Sequence, residues 1–266
     1  NQDLAQAENR VVAYVFGEEK MIAAFEAGVD IHRQTAALIA GVPVENVTQQ
    51  QRDELGKRAN HGLNYDLGYK TFALYYGISE AQAKFITERY HRVYPGVREG
   101  HATIRDTLAR SNHTLINCYG RKRTFMGRWG NDLFKQAYSF IPQSTIGEKL
   151  NQEGVCYLYE RQDLFPDVSL LNTIHDNIVY QVSLSHGSSR VVEVVKQIKT
   201  SLESPLSWKG RSFIIPVDTE LGFYLDKRED SSTRMLKWKS RYVDETPDDV
   251  LVGELSRYVT KIGELA

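Results

Sequence analysis

Apolar residues recur at helical spacing in several stretches of the chain. Over 81–94 they place Phe85, Ile86, Tyr90 and Val93 on one face. Pro95-Gly96 then interrupts, and Val97, Ile104 and Leu108 resume the period, which predicts two helices meeting at that break. Val191, Val195, Ile198 and Leu202 recur at steps of four, three and four and mark another amphipathic helix with a core-facing stripe. Residues 168–183 follow a different rule. The apolar VSLLNTI, the polar HDN and then IVYQV predict strand, tight turn and strand, with His175, Asp176 and Asn177 at the tip. FIIPV at 213–217 followed by TELGFYL predicts a further strand pair, so helices and an antiparallel sheet coexist and the fold class is α+β. No internal repeat or low-complexity block divides the chain. From about Asp226 the sequence turns strongly charged and mixed in sign, which predicts one compact unit with a solvated C-terminal appendage, whose LKWKSRY stretch is the part suited to a partner or DNA.

Composition narrows the class. At 266 residues and 41% apolar, the chain has enough hydrophobic material for a sizeable core. No run approaches the roughly 18 apolar residues of a membrane span, and Asn1 to Arg10 lacks the basic-then-apolar plan of a signal peptide; a soluble cytoplasmic protein is expected. Cys118 and Cys156 have no zinc-ligand spacing and form no disulfide framework. With 33 basic against 34 acidic residues, any phosphate contact must come from local clusters and not from overall charge.

Three such clusters stand out. Lys57, His61 and Tyr65 are spaced four apart and line up on one face of a helix expected between Val44 and Asp66, a cation, an imidazole and a phenol in a row. That row suits a phosphate and a stacked sugar or base, and it equally suits an ordinary solvated face. Between Arg110 and Asn131 lie Arg110, Arg121, Lys122, Arg123 and Arg128 with no acid before Asn131, interleaved with Tyr119, Phe125 and Trp129. Guanidinium groups bind phosphate oxygens while rings cover sugars or bases, although a solvated loop shows the same mixture. Finally, Asp3 and Asp176 are ordinary turn or strand acids taken singly. Two carboxylates brought together from distant strands are what a two-metal phosphoryl-transfer site needs, but spacing alone does not show that they meet.

In order along the chain these pieces resemble the polymerase core of family A DNA polymerases, the bacterial polymerase I and phage replicase type, from residue 1 to about 225. The opening DLAQAENRVVAYVFGEEKMIAAFEAGVDIHRQTA resembles the family's first polymerase motif with its downstream Asp-Ile-His. KRANHGLNYD resembles the fingers-helix motif. YPGVREG, YGRKR and IPQST resemble the segments that follow, and TIHDNIVYQV resembles the His-Asp-Glu motif. The resemblance implies a palm with an antiparallel sheet and helices plus a mostly helical fingers subdomain. Residues 1–40 and 111–225 would be palm, 41–110 fingers and 226–266 a charged extension. It implies a DNA-directed DNA polymerase that adds dNTPs to a primer 3′-hydroxyl on a DNA primer-template, with two Mg²⁺ ions for which Mn²⁺ can substitute. Asp3, Leu4 (through its carbonyl) and Asp176 would be metal ligands, and Lys57 would join the two acids in catalysis. Gln6, Glu8, His32, Arg52, Lys57, His61 and Tyr65 would bind the incoming nucleotide, with Glu8 as the gate against a ribose 2′-hydroxyl. Arg121, Lys122, Arg123, Gln143 and His175 would contact DNA.

Four positions depart from the family pattern: Ala5 for serine, His61 for phenylalanine or tyrosine, Asp66 for the second glycine and Asn177 for glutamate. The family arginine four residues before the motif lysine falls on Asp53, with Arg52 one position earlier; a π-turn between Arg52 and Lys57 would return the two cations to one face. The family's thumb and exonuclease regions lie upstream of the matched segment. A second polypeptide carrying them is therefore expected, as in a split phage gene or a cleaved polymerase, because an isolated palm would expose a sheet edge. A catalytically silent DNA-binding or assembly subunit with the same fold is the alternative. A two-metal nuclease would use the same aspartates without explaining the fingers-helix motif.

Overall fold

The computed structural model describes residues 1–223 and 235–263. In chain order, β1 (Gln2–Leu4) leads into α1 (Ala7–Phe16), α2 (Glu19–Glu26) and α3 (Ile31–Ala40). The helix over 49–63, α4, joins an α-helical turn (Gln49–Gln51), a π-helical turn (Arg52–Lys57) and an α-helical stretch (Arg58–Leu63). Helices α5 (Tyr69–Tyr76), α6 (Glu80–Val93) and α7 (Pro95–Arg110) follow, then the hairpin of β2 (Thr114–Ile116) and β3 (Lys122–Thr124), and α8 (Asn131–Lys149). A second π-helical stretch, Leu150–Cys156, and Tyr157–Glu160 precede β4 (Val168–Ile174), β5 (Asn177–Val182) and α9 (Gly187–Leu202). Last come β6 (Val217–Leu221), β7 (Leu236–Trp238), α10 (Ser240–Glu245) and α11 (Asp248–Gly263). The α+β class expected from the sequence is observed.

The chain folds as two compact units. One comprises residues 1–7, 146–206 and 212–266; the other comprises 8–145 and 207–211. The first is built on a five-stranded antiparallel sheet in the order β4-β5-β1-β6-β7. β1 is its central strand: Asp3 lies opposite Asn177 of β5 on one side and Asp218 of β6 on the other. The predicted strand-turn-strand is present, with a loop of two residues, His175 and Asp176, because Asn177 already pairs with Ile174. His175 adopts φ 55, the left-handed value that the first position of such a tight loop can require. The run at 213–217 is not a continuous strand: Phe213 ends a separate short strand (Arg211–Phe213), Val217 begins the strand Val217–Leu221, and residues 214–216, with the missing N–H of Pro216, belong to neither. The stripe Val191, Val195, Ile198 and Leu202 is buried.

The C-terminal segment is not a solvated appendage. LKWKSRY forms β7 and the start of α10, and strand alternation explains why it docks. Trp238 turns inward and is 2% exposed, packed with Val191, Val195, Leu251 and Leu255. The flanking Lys237 and Lys239 turn outward to ion-pair with Glu220 and Asp218 of β6. Buried Lys199 of α9 pairs with Glu203 at 2.5 Å and with Asp244 of α10 at 2.6 Å. Net-charge patterning made this segment look solvated because its acids and bases find partners only through the fold. The expected start of the extension, at residue 226, lies outside the described residues. At the opposite edge of the sheet, β4 leaves Leu170, Leu171 and Ile174 exposed.

The second unit buries α1, α2, α4, α6, α7 and α8 around Val12, Phe16, Met21, Leu63, Tyr90, Tyr94, Leu108 and Tyr138. The two predicted helices at 81–110 are present, divided at Tyr94, with Pro95 in the first turn of α7, where a missing N–H costs nothing. Ile86, Tyr90, Val97, Ile104 and Leu108 are buried as the period requires, whereas Phe85 is 55% exposed and lies under the Arg89 guanidinium at 5.8 Å. The predicted helix between Val44 and Asp66 is shorter: a 3-10 turn (Val44–Asn46) stands apart, and the helix starts at a Thr48/Gln51 capping box. Among the described residues, no helix is long and apolar enough to cross a membrane. Both cysteines are free thiols.

Candidate active site

In the first unit, antiparallel pairing brings Asp3 and Asp176 side by side. The Leu4 N–H donates to the Asp176 carbonyl at 2.9 Å, fixing the loop tip of the β4–β5 hairpin against the end of β1. Asn177, directly opposite Asp3, shares its face of the sheet, and its side-chain Oδ1 is buried without a hydrogen-bond partner. Gln6, just beyond β1, takes φ 53. Two non-glycine site candidates, Gln6 and His175, therefore hold left-handed backbone, which a fold maintains at a cost where geometry demands it. Beside the His175 imidazole, the donors at β1 and the hairpin tip are oxygens: two carboxylates, backbone carbonyls and the orphan amide oxygen. Such hard donors suit Mg²⁺ or Mn²⁺. Among the described residues no cluster of three or more His, Cys, Asp or Glu surrounds a metal position.

In the second unit the nucleotide-side candidates converge on α3 and α4. Asp30 caps α3: one carboxylate oxygen accepts from the N–H groups of His32 at 2.9 Å and Arg33 at 3.2 Å, while the other accepts from Arg52 Nε at 2.6 Å. Burial alone would raise the Asp30 pKa, but these donors outweigh it and leave the carboxyl below its ordinary value. The π-turn at Arg52–Lys57 is present and lets both cations approach His32. Arg52 also pairs with Asp53 at 2.8 Å. Burial, then the nearby Arg52, lowers the His32 pKa to about 4, so the ring is neutral at pH 7. A buried chain fixes its tautomer: the Tyr94 hydroxyl meets Thr35 Oγ1 at 3.0 Å, Thr35 donates to Asn60 Oδ1 at 3.1 Å, and the Asn60 amide meets His32 Nδ1 at 3.0 Å. With Nδ1 accepting, the proton sits on Nε2 and is presented as a hydrogen-bond donor.

Lys57 and His61 are exposed on the same helix, and His61 and Tyr65 rings lie 6.5 Å apart. Tyr65 falls just past the helix end. His61 Nδ1 is 3.3 Å from Glu8 Oε2 of α1, and the Tyr65 hydroxyl, buried without a hydrogen-bond partner, has its pKa pushed well above 10, first by burial and then by the field of that carboxylate. Asp66, in place of the family glycine, takes φ 61 and pairs with Arg98; aspartate is one of the few side chains that tolerates this backbone.

The basic residues Arg121, Lys122 and Arg123 lie on the turn and second strand of the β2–β3 hairpin, all exposed. Asn117 shapes the turn, its Oδ1 accepting from the N–H groups of Tyr119 and Arg121, with Gly120 at φ 80. The hairpin is tied to α8 by Asn117 donating to Ser144 at 3.0 Å, next to the exposed Gln143. Arg123 lies 4.6 Å over Phe125 and donates to Gln136 at 3.1 Å. Arg110 and Arg128 are exposed. Asp30, Thr35, Asn60 and Tyr94 were not anticipated as supports for the site. The Asp30-x-His32 spacing before an apolar period was the available signal, an N-cap; the Thr35–Asn60 contact had none.

With this geometry in hand, the family is shown by comparison. The model of DNA polymerase family A matches residues 1–223. Among curated relatives, DNA polymerase I of Pseudomonas aeruginosa is 36% identical over 226 residues, 83% of this chain and 24% of that protein. The thermostable DNA polymerase I of Thermus thermophilus is 35% identical over 228 residues, 83% of this chain and 26% of its own. That of Aquifex aeolicus is 27% identical over 236 residues, 85% and 38%. A solved structure, the POL domain of Pol1 from M. smegmatis in complex with DNA primer-template and dNTP, superposes with a TM-score of 0.69 at 22% identity, covering 81% of this chain and 38% of that one. The chain belongs to DNA polymerase family A. It spans about two fifths or less of the length of these relatives.

Proposed function

We propose that this chain carries the nucleotidyl-transfer core of a DNA-directed DNA polymerase, adding dNTPs to a primer 3′-hydroxyl on a DNA template. The observation that carries the proposal is the hairpin tip bearing Asp176 held against the end of β1 that bears Asp3, two acids far apart in the chain. Asp3, the Leu4 carbonyl and Asp176 would hold two Mg²⁺ ions, or Mn²⁺ in their place. When bound, the ions supply charge neutralisation at the reacting phosphate.

The protein's own part is binding and positioning. The 3′-hydroxyl displaces pyrophosphate from the α-phosphorus, and Lys57 offsets the charge that gathers on the leaving group. His32 donates from Nε2 to the triphosphate, and Arg52 adds positive field beside it. Glu8, with His61 beside its carboxylate, closes the space that a ribose 2′-hydroxyl would need, and Gln6 completes the nucleotide contacts. Arg121, Lys122 and Arg123 bind template or primer phosphates, Gln143 a groove edge and His175 the primer end. Asn177 keeps an oxygen beside Asp3 where the family has a carboxylate, so we expect activity despite the replacement. In these functional terms residues 1–40 and 111–225 are palm, 41–110 fingers and 226–266 an extension; the compact units divide the chain at 7/8, 145/146, 206/207 and 211/212 instead.

We further propose that the polymerase works in the cytoplasm, bacterial or phage-infected, with a second polypeptide bearing the thumb and exonuclease regions. For the second polypeptide, support comes from β4, which among the described residues is an edge strand with Leu170, Leu171 and Ile174 exposed and so invites cover.

Primer extension with Mg²⁺ and four dNTPs tests the function. The chain alone, the chain with the upstream portion of the polymerase, and an Asp176→Ala control are compared. Extension that the control abolishes supports the metal assignment, and dependence on the upstream portion supports a split enzyme. DNA binding without extension in any mixture would favour a silent DNA-binding subunit.

A further inference from the structure

Glu8, proposed above to wall the sugar of the incoming nucleotide, and Tyr65 each have an asparagine as chain neighbour. Asn9 is 5% exposed and Asn64 is 1% exposed. The Asn64 side-chain amide donates to Asn9 Oδ1 at 2.6 Å, bridging α1 to the end of α4. Asn64 is then held from two further helices. The Tyr90 hydroxyl of α6 donates to its Oδ1 at 2.7 Å, and His101 Nε2 of α7 donates to its backbone carbonyl at 2.7 Å. His101 is stacked on Tyr138, with ring centroids 4.1 Å apart, and its Nδ1 is buried without a partner, which agrees with a neutral ring protonated on Nε2. Arg98 of α7 pairs with Asp66, so Asn64 and Asp66, on either side of Tyr65, are both gripped.

The buried Tyr90 hydroxyl needs an acceptor, which Asn64 supplies, but nothing there requires the second amide at Asn9. An apolar residue at position 9 would fill the space, but it would let the two helices slide; directional hydrogen bonds do not. We infer that Asn9 and Asn64 are positioning residues that set the separation of the Glu8 carboxylate and the Tyr65 hydroxyl, and through it the discrimination between deoxyribo- and ribonucleotides. The inference rests on the proposed role of Glu8.

The test is equilibrium binding of dATP and ATP, with Mg²⁺, to the 266-residue chain and its Asn9→Leu, Asn9→Asp, Tyr90→Phe and Glu8→Ala variants, each with a thermal melt. Asn9→Leu should lower the preference for dATP about 5-fold or more, the scale of one misplaced hydrogen bond. Asn9→Asp keeps the acceptor for the Asn64 amide and should keep the preference. Tyr90→Phe removes a single donor while the helix core stays filled, and a smaller drop, roughly 2-fold, is expected there even if Asn9→Leu does not fold. A lower melting temperature with unchanged preference in the folded Asn9 and Tyr90 variants would overturn the inference and leave these residues purely structural. If Glu8→Ala relaxes the preference and the others do not, the inference alone fails. If the unsubstituted chain shows no nucleotide binding or no preference, or if Glu8→Ala changes nothing, the proposed role of Glu8 fails, and the inference with it.

Discussion

Gly56 lies against the backbone of His32 so closely that a Cβ at position 56 would stand 1.8 Å from the His32 carbonyl oxygen. The contact is backbone to backbone, so neither side can yield by a rotamer change. It places the π-turn of α4 directly on the first turn of α3, within the electrostatic reach of Arg52 and Lys57 on His32. Gly56→Ala should force the helices apart, lowering stability by about 3 kcal/mol or more, at or above the upper end of the usual cost of overpacking. Urea denaturation checks the stability loss, and nucleotide binding should weaken with it.

Lys57→Ala should slow single-nucleotide incorporation about 10²-fold in whichever mixture extends primers, by analogy with the loss of other single electrostatic donors. The side chain is exposed, so stability should barely change. Rapid-quench kinetics checks this; an unchanged rate would remove Lys57 from the mechanism.

Three buried histidines give the fold a defined acid sensitivity. Burial, chiefly, lowers the pKa of His32 to about 4, of His91 to about 3 and of His101 to about 4. Between the ordinary value near 6.5 and these folded values the unfolded chain binds protons that the folded chain does not, so stability is complete above about pH 6.5 and falls as pH falls. The expected loss is roughly 2 kcal/mol for each histidine between pH 6.5 and 5. Urea midpoints across that window measure it. His101→Gln should be less stable at pH 7.5 yet lose less on acidification.

Trp238→Ala should cost about 3–5 kcal/mol, as for other large aromatic side chains removed from a core, although it lies beyond the family-matched segment. Deleting residues 235–266 should expose the β6 edge and the apolar face of α9 and cause aggregation. Thermal melts and light scattering of the two variants check both outcomes; a truncated chain as stable and monomeric as the original would mean that the extension is dispensable.

The elements that local pattern controls were legible in the sequence. The helices at 81–110 and 187–202 follow from apolar spacing and from Pro95, and the hairpin around Asp176 from two apolar runs flanking HDN; the π-turn was legible only through the resemblance, which sets Arg52 one position before the family arginine. Motif order carried the family. What the sequence left undetermined depends on contacts between segments far apart in the chain. Only antiparallel pairing sets Asp176 beside Leu4 and Asn177 opposite Asp3. Only packing of α3 on α4 shows Asn60 fixing the His32 tautomer, and only the sheet edge shows why Lys237 and Lys239 flank a buried Trp238. Local periodicity states which face of an element is apolar, but partners across the core are chosen by register and shape, which one element does not encode.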